Sequence, residues 1–267
     1  MTTPYARAAW VRACRFVDTD EARAVRAAFE RIEAAAARGA RPVAVLDIDS
    51  SLYDTGPRTR RIIEEWLSAS DAPRAVRKAL EALTHDRHTF SLADLFEAAG
   101  LDARQPDVRH AIQSLTEFWR PRFFSNDYLP NDVAFTGAAA FVHRLRDLGS
   151  QIVYLTGRDR PGMHAGTLEN FSRDGFPPPG PGVELWMKPS REGDDYEYKM
   201  RHIEPLRALG DVAVSLENEP RNFVGFFHAF PSAVHLFMDS VASPAPALPV
   251  EGGYRLRHFA PQAWLER

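Results

Sequence analysis

Two aspartates close the first strongly apolar run of this chain. PVAVLD, Pro42 to Asp47, passes into IDSSLYDT, so Asp47 and Asp49 stand two apart where a strand gives way to a polar turn. Residues two apart share one face of a strand, and open α/β sheets bind ligands beyond the carboxyl ends of their strands. One carboxylate of such a pair can accept a transferred group, and the neighbouring carboxylic acid can protonate what departs. Aspartate and serine after a strand also make ordinary turns, so the pair needs partners. A second apolar run, QIVYLT, ends at Thr156 and is followed by Gly157 and Arg158. The Thr156 hydroxyl and Gly157 amide fall at the same sheet edge, where a hydroxyl can hold a phosphate oxygen. Arg158 either helps bind phosphate there or pairs with a core acid.

The elements that must position these groups follow from periodicity. Thr19 to Arg38 reads as a helix, capped by Thr19 or Asp20 and stopped by Gly39. Further strand candidates are Gly182 to Met187, Asp211 to Glu217 and Ala233 to Met238. Helical patterns separate most of them, as in GAAAFVHRLRDLG and EYKMRHIEPLRALG, which argues for a parallel sheet with right-handed crossovers. About a hundred residues separate the first two strands, where a crossover needs only a few dozen. Arg58 to Trp119 carries helical periodicity and no strand, so a small all-helical module is expected there, joined by DTGPRT and RPRFFSNDYLPND, with Asp54 shaping the turn into it. The expected organisation is an α/β core over 1–57 and 130–267, with 1–41 as a helical extension, and a helical unit over 58–129. FPPPGPG from Phe176 and SPAPALP after Asp239 read as stiff surface loops.

The order of DIDSSLYDT, then LTGR, then lysine, then an acidic strand end resembles the haloacid dehalogenase superfamily of phosphotransferases from about Pro42 to Asp239. Its first motif matches at Asp47, Asp49, Ser51 and Leu52. The resemblance implies a Rossmann-like parallel sheet flanked by helices, with a helical cap closing over the carboxyl edge. It implies Asp47 as nucleophile, Asp49 as general acid and base, Thr156 as a phosphate ligand, and Ser51, Gly157 and Arg158 near the substrate. Magnesium would bridge Asp47 and the phosphate, with Asp49 and Glu217 completing the metal set, since hard oxygen ligands suit that ion. Asp49 separates phosphotransfer from dehalogenation, because the dehalogenase branch lacks the second aspartate. The family lysine is expected at Lys199 by spacing, with Lys188 as second candidate. At the fourth motif the text is SLENEPRN: Glu217 stands where the family has aspartate, and Asn218 replaces a frequent second one, with Glu219 and Asn222 nearby.

Composition narrows the partners. A formal net charge of -3 gives no footprint for nucleic acid or an anionic membrane. Cys14 is the single cysteine, which excludes an internal disulfide and a thiolate metal site. Lys78, Lys188 and Lys199 are the only lysines, so a lysine kept in so arginine-rich a chain points to a need for a compact cation. The nine histidines form no HExxH, and His85 with His88 reads as a surface loop pair. Trp119, Arg120, Arg122, Phe123 and Phe124 sit where the insert returns, suited to a leaving group or to packing. The expectation is a soluble cytoplasmic enzyme hydrolysing a small phosphorylated metabolite. A phosphomutase, and a binding protein that kept the fold, are the alternatives.

Overall fold

The computed structural model describes residues 7–17, 20–83 and 89–265; His85 and His88 lie outside them. The chain opens with α1 (Arg7–Ala13) and α2 (Glu21–Ala37), then β1 (Pro42–Leu46) and the short β2 (Tyr53–Asp54). A helical insert follows: α3 (Gly56–Ala69), α4 (Arg74–Glu81), α5 (Leu92–Ala98) and α6 (Pro106–Phe123), ending in a 3-10 turn, Asn126–Asn131. The core resumes with β3 (Val133–Ala134), α7 (Ala138–Asp147), β4 (Gln151–Asp159), α8 (Arg160–Asp174) and β5 (Val183–Lys188). It finishes with α9 (Asp195–Arg201), α10 (Ile203–Leu209), β6 (Asp211–Glu217), α11 (Pro220–Ala229), β7 (Val234–Met238) and β8 (Tyr254–Leu256).

Among the described residues the main sheet is six-stranded and parallel, in the order β5-β4-β1-β6-β7-β8. Helices flank it on both faces, which makes a Rossmann-like α/β core. β1 lies centrally and is buried on both sides. Ala44 and Leu46 pack with α2 and α7 on one face, while Val43 and Val45 pack with Leu206 and Phe226 on the other. A central strand must be apolar throughout, and this is why PVAVL contains no polar residue.

Several expectations change in detail. α2 is capped by Asp20, whose carboxylate accepts from Arg23 N at 2.9 Å. EYKMRHIEPLRALG forms two short helices, because Pro205 lacks an N–H and its ring would clash with the Arg201 carbonyl of a continuous helix. β4 runs on through Gly157 and Arg158 to Asp159, which then caps α8 by accepting from Gly162 N at 2.8 Å. α1 falls within the helical extension expected over 1–41, and β8 has no counterpart in the sequence reading; Trp10 of α1 is buried against Phe223 and Phe237. FPPPGPG is not wholly a surface loop, since Phe176 and Pro177 are buried and the Tyr154 hydroxyl donates to the Pro177 carbonyl at 3.1 Å.

The insert has its own apolar cluster, including Trp66, Leu67, Leu80, Phe96 and Leu115. β2 and β3 pair antiparallel at its base, Tyr53 opposite Ala134 and Asp54 opposite Val133. Asp54 turns the chain into α3 by accepting from Gly56 N at 2.8 Å. The first helix therefore begins at Gly56, and the RPRFF segment read as a connection is the last turn of α6, where Arg122 lies 3.4 Å over the Phe118 ring. No helix among the described residues is long and apolar enough to cross a membrane.

Candidate active site

The turn after β1 is built on one carbonyl. Ile48 O accepts from the amides of Ser51, Leu52 and Tyr53, which folds DSSLY back under the strand. Ser50 takes φ 57°, in the left-handed region that non-glycine residues rarely occupy. Such strain persists only where surroundings fix it; here Ser50 N donates to Tyr53 O at 2.7 Å and Ser240 Oγ donates to Ser50 O. Asp47 and Asp49 are thereby presented on either side of Ile48, at the floor of a cavity of about 290 Å³.

Asp47 is 6% exposed. Lys199 Nζ donates to its Oδ1 at 2.7 Å, and Ser51 Oγ donates to its Oδ2 at 2.7 Å. Lys199 also donates to Glu217 Oε1, to which Asn222 Nδ2 donates at 3.2 Å. Glu217 Oε2 accepts from the amides of Asn218 and Glu219, each at 3.1 Å. Burial pushes Glu217 up to about 8 against the opposing pull of Lys199. It also raises Asp47 despite Lys199 and Ser51. Lys199 sits above its ordinary value: burial opposes its charge, but Asp47 and Glu217 outweigh that.

Asp49 enters different company. Arg158 donates to both its oxygens, Nε to Oδ2 at 3.0 Å and Nη2 to Oδ1 at 2.7 Å, and Arg58 Nη2 reaches Oδ1 at 2.8 Å. Both arginines also hold Asp132: Arg58 at 2.7 Å through Nε, Arg158 at 2.8 Å through Nη2. Burial works to raise Asp49, but the two guanidiniums overrule it and hold the carboxyl far below the usual carboxylate range. Sequence reasoning missed Asp132 and gave Arg58 no role. Their signal was thin: a single acid in a loop-like stretch and an arginine at the start of a helix, 74 positions apart.

The expected groups are thus sorted. Asp47, Ser51, Lys199 and Glu217 come together, and Asp49, Gly157 and Arg158 line the same cavity. The Ser51 hydroxyl serves Asp47 and not the cavity, and Ser51 is fully buried. Thr156 is also fully buried, its Oγ1 accepting from Arg158 N at 3.1 Å. Arg158 pairs with core acids, the second of its two expected duties. Lys188 does not reach Asp47; it donates to Asp195 Oδ1 and Gly193 O, both at 2.7 Å, and holds the loop before α9. Asp195 lies so close to Gly157 that a Cβ there would fall 2.3 Å from its Oδ2. Trp119, Phe123 and Phe124 wall the cavity from α6 and its end. The segment after Asp239 also takes part: Asn218 Nδ2 donates to Val241 O at 2.5 Å, and Glu219 accepts from Ser243.

The expected metal set of Asp47, Asp49 and Glu217 is not assembled. Among the described residues no group of three or more His, Cys, Asp or Glu side chains is arranged to hold a metal ion. Asp49 is spent on arginines, and Glu217 on Lys199, Asn222 and two amides. Asn218 Oδ1 lies 3.3 Å from Ser51 Oγ, the hydroxyl that donates to Asp47 Oδ2 at 2.7 Å. Asp47 and Asn218 both line the cavity, and an all-oxygen pair fits a hard divalent cation. Below about pH 8 Glu217 keeps its proton and Lys199 balances Asp47; once Glu217 ionises, two buried carboxylates share one ammonium.

No family model and no curated protein matches the chain. Solved structures similar to it include a putative phosphatase from Clostridium difficile, at 12% identity over 76% of this chain and 94% of that one, with a TM-score of 0.48. A HAD-superfamily hydrolase of subfamily IA from Geobacter sulfurreducens gives 14% over 84% and 96%, at 0.43. A class C acid phosphatase from Bacillus anthracis with tungstate bound gives 16% over 77% of this chain, at 0.43; the match spans 64% of that enzyme. At identities this low the likeness is one of fold.

Proposed function

We propose that the chain is a magnesium-dependent phosphatase acting in the cytoplasm on a small phosphorylated metabolite through an aspartyl-phosphate intermediate. The observation that carries this reading is Lys199, buried between Asp47 and Glu217 at the cavity floor. It neutralises part of the charge on Asp47, fixes its orientation together with Ser51, and offers a cation to incoming phosphoryl oxygens. A carboxylate oxygen of Asp47 is the attacking atom. Its attack on phosphorus forms the acyl-phosphate bond as the bond to the ester oxygen breaks, and water later attacks phosphorus to return the carboxylate and release phosphate. A magnesium ion held by Asp47 and Asn218 would supply charge neutralisation between two anions.

Asp49 is ionised where it stands, so it suits the base that takes the proton of the attacking water. To act first as an acid towards the leaving alkoxide it must be released from the arginine pair. Arg58 belongs to α3 of the insert, so movement of the insert as a cap would withdraw Arg58, whereas Arg158 of β4 stays on Asp49 and keeps it in the role of base.

Hydrolysis of para-nitrophenyl phosphate tests the reading: turnover with magnesium, none after chelation and none in Asp47→Asn. Absence of turnover in wild type, with no magnesium-dependent rise in melting temperature, would sink it. The arginine clamp favours a second reading, a phosphate-ester-binding protein of slow turnover. In that case Asp47→Asn would bind phosphorylated metabolites as wild type does and wild type would hydrolyse none.

A further inference from the structure

We infer that the ester taken by this site has an apolar leaving group, an alkyl or aryl alcohol, lodged in a chamber inside the helical insert; this rests on the phosphatase reading above. The chamber has a volume of about 440 Å³ and adjoins the cavity over Asp47. The two share the walls formed by Thr55, Thr59, Thr89, Phe90, Trp119 and Val241. A phosphate held at Asp47 therefore has its ester substituent directed into the chamber or out to solvent.

The chamber wall is lined by Ile63, Leu80, Leu83, Leu92, Leu95 and Ile112, from four helices and a loop end. Among the described residues its polar side chains already have protein partners. Among the described residues its charged side chains are Asp54 and Arg60. Asp54 accepts from Gly56 N, while Arg60 donates to Glu64 at 2.9 Å and to the Leu80 and Leu83 carbonyls at 3.0 and 3.3 Å. Thr59 accepts from Trp119 Nε1 at 3.2 Å, Thr89 donates to Ser91 O at 3.0 Å, and Thr116 donates to Ile112 O at 2.7 Å. A sugar or nucleoside entering this space would give up water for walls with few free partners, at roughly tenfold in binding per unpaired group. An apolar group gives up nothing of the kind. The doorway sets aromatic rings beside its threonines: Phe90 is 52% exposed, and Trp119 stacks on Phe123 with ring centres 4.2 Å apart.

Initial rates with magnesium are to be measured on straight-chain alkyl phosphates from ethyl to decyl, beside glycerol 3-phosphate and glucose 6-phosphate. Calorimetry on Asp47→Asn with the matching alkylphosphonates reads binding without turnover. The expected result is a rise in kcat/KM, and in phosphonate affinity, of roughly three- to fourfold per methylene until the chamber is full. Thr116 lies exposed on α6 at the chamber wall, so Thr116→Trp places a ring in that space and should cut the decyl-to-ethyl ratio roughly tenfold or more. A flat series in both measurements, or a preference for the polar esters, overturns the apolar assignment while leaving the phosphatase reading intact. Phosphonate affinity that climbs with chain length, with no ester hydrolysed, upholds the apolar chamber and overturns the phosphatase reading.

Discussion

Asp47 and Asp49 leave the same strand on either side of one isoleucine, yet their surroundings differ in charge and in reach. Around Asp47, two carboxylates share one ammonium, and every member of the ionic group belongs to the α/β core. Around Asp49, two carboxylates meet two guanidiniums, and Arg58 arrives from the helical insert. The first cluster becomes short of positive charge beside a cavity once Glu217 ionises, near pH 8, an arrangement that costs stability unless a cation is supplied. The second is balanced, two carboxylates to two guanidiniums. It ties insert to core and holds Asp49 ionised. The first cluster is confined to the core, whereas the second links two parts of the chain.

Removing Lys199 attacks the first cluster most directly. Lys199→Met would leave Asp47 and Glu217 buried without a counter-ion, and the expected loss is roughly 3–5 kcal/mol in chemical denaturation, together with loss of turnover. An unchanged denaturation midpoint would mean that the ammonium contributes nothing to holding these acids. In the balanced cluster, Arg58→Met breaks the bonds to Asp49, Asp132 and the Phe123 carbonyl. A loss of about 3 kcal/mol is expected. It should come with faster proteolysis around 123–131, because the base of the insert loses its anchor; equal cleavage rates in variant and wild type would argue against the tie.

His235 sharpens the contrast as a buried titratable group with no ionic partner. Its Nε2 donates to Phe230 O at 2.9 Å, so Nδ1 carries no proton and accepts from Ser215 Oγ at 2.7 Å. Burial holds its pKa down to about 4. A depressed folded-state value means the stability it contributes is whole above pH 6.5 and is lost as pH falls towards 4, by about 3 kcal/mol at the lower end. His235→Asn should flatten that part of the stability curve; parallel curves for variant and wild type would refute the assignment. The smallest effect is expected at Gly157. An alanine Cβ meets the carboxylate of Asp195, which is 56% exposed and can swing aside, so Gly157→Ala should cost less than about 1 kcal/mol. A larger loss would show that the Asp195–Lys188 pair is rigid.

Much of the core was legible in the chain. The five longer strands are apolar runs bounded by turn residues, and a parallel strand buried on both faces must be written that way. β8 escaped because three residues, YRL, carry no period. The bounds of α1 within the helical extension escaped because its anchor is one tryptophan in an alanine- and arginine-rich stretch. Lys199 was legible because lysine is scarce here and its spacing to the fourth long strand is tight. Asp132, Arg58 and the Asn218 oxygen were not, since nothing in their own neighbourhoods distinguishes them from turn and helix-start residues.

The sequence by itself determined where charged groups would gather: an apolar strand ending in two aspartates fixes both a central position in a sheet and a charged rim, because burial and periodicity are local properties. Only the tertiary structure decided which charge faces which. Arg158 and Asp49 are 109 positions apart, and Lys199 and Asp47 are 152. Hydrogen bonds fall off within about an ångström of their optimum, so partners at such separations are chosen when the chain closes, by packing that no single segment encodes.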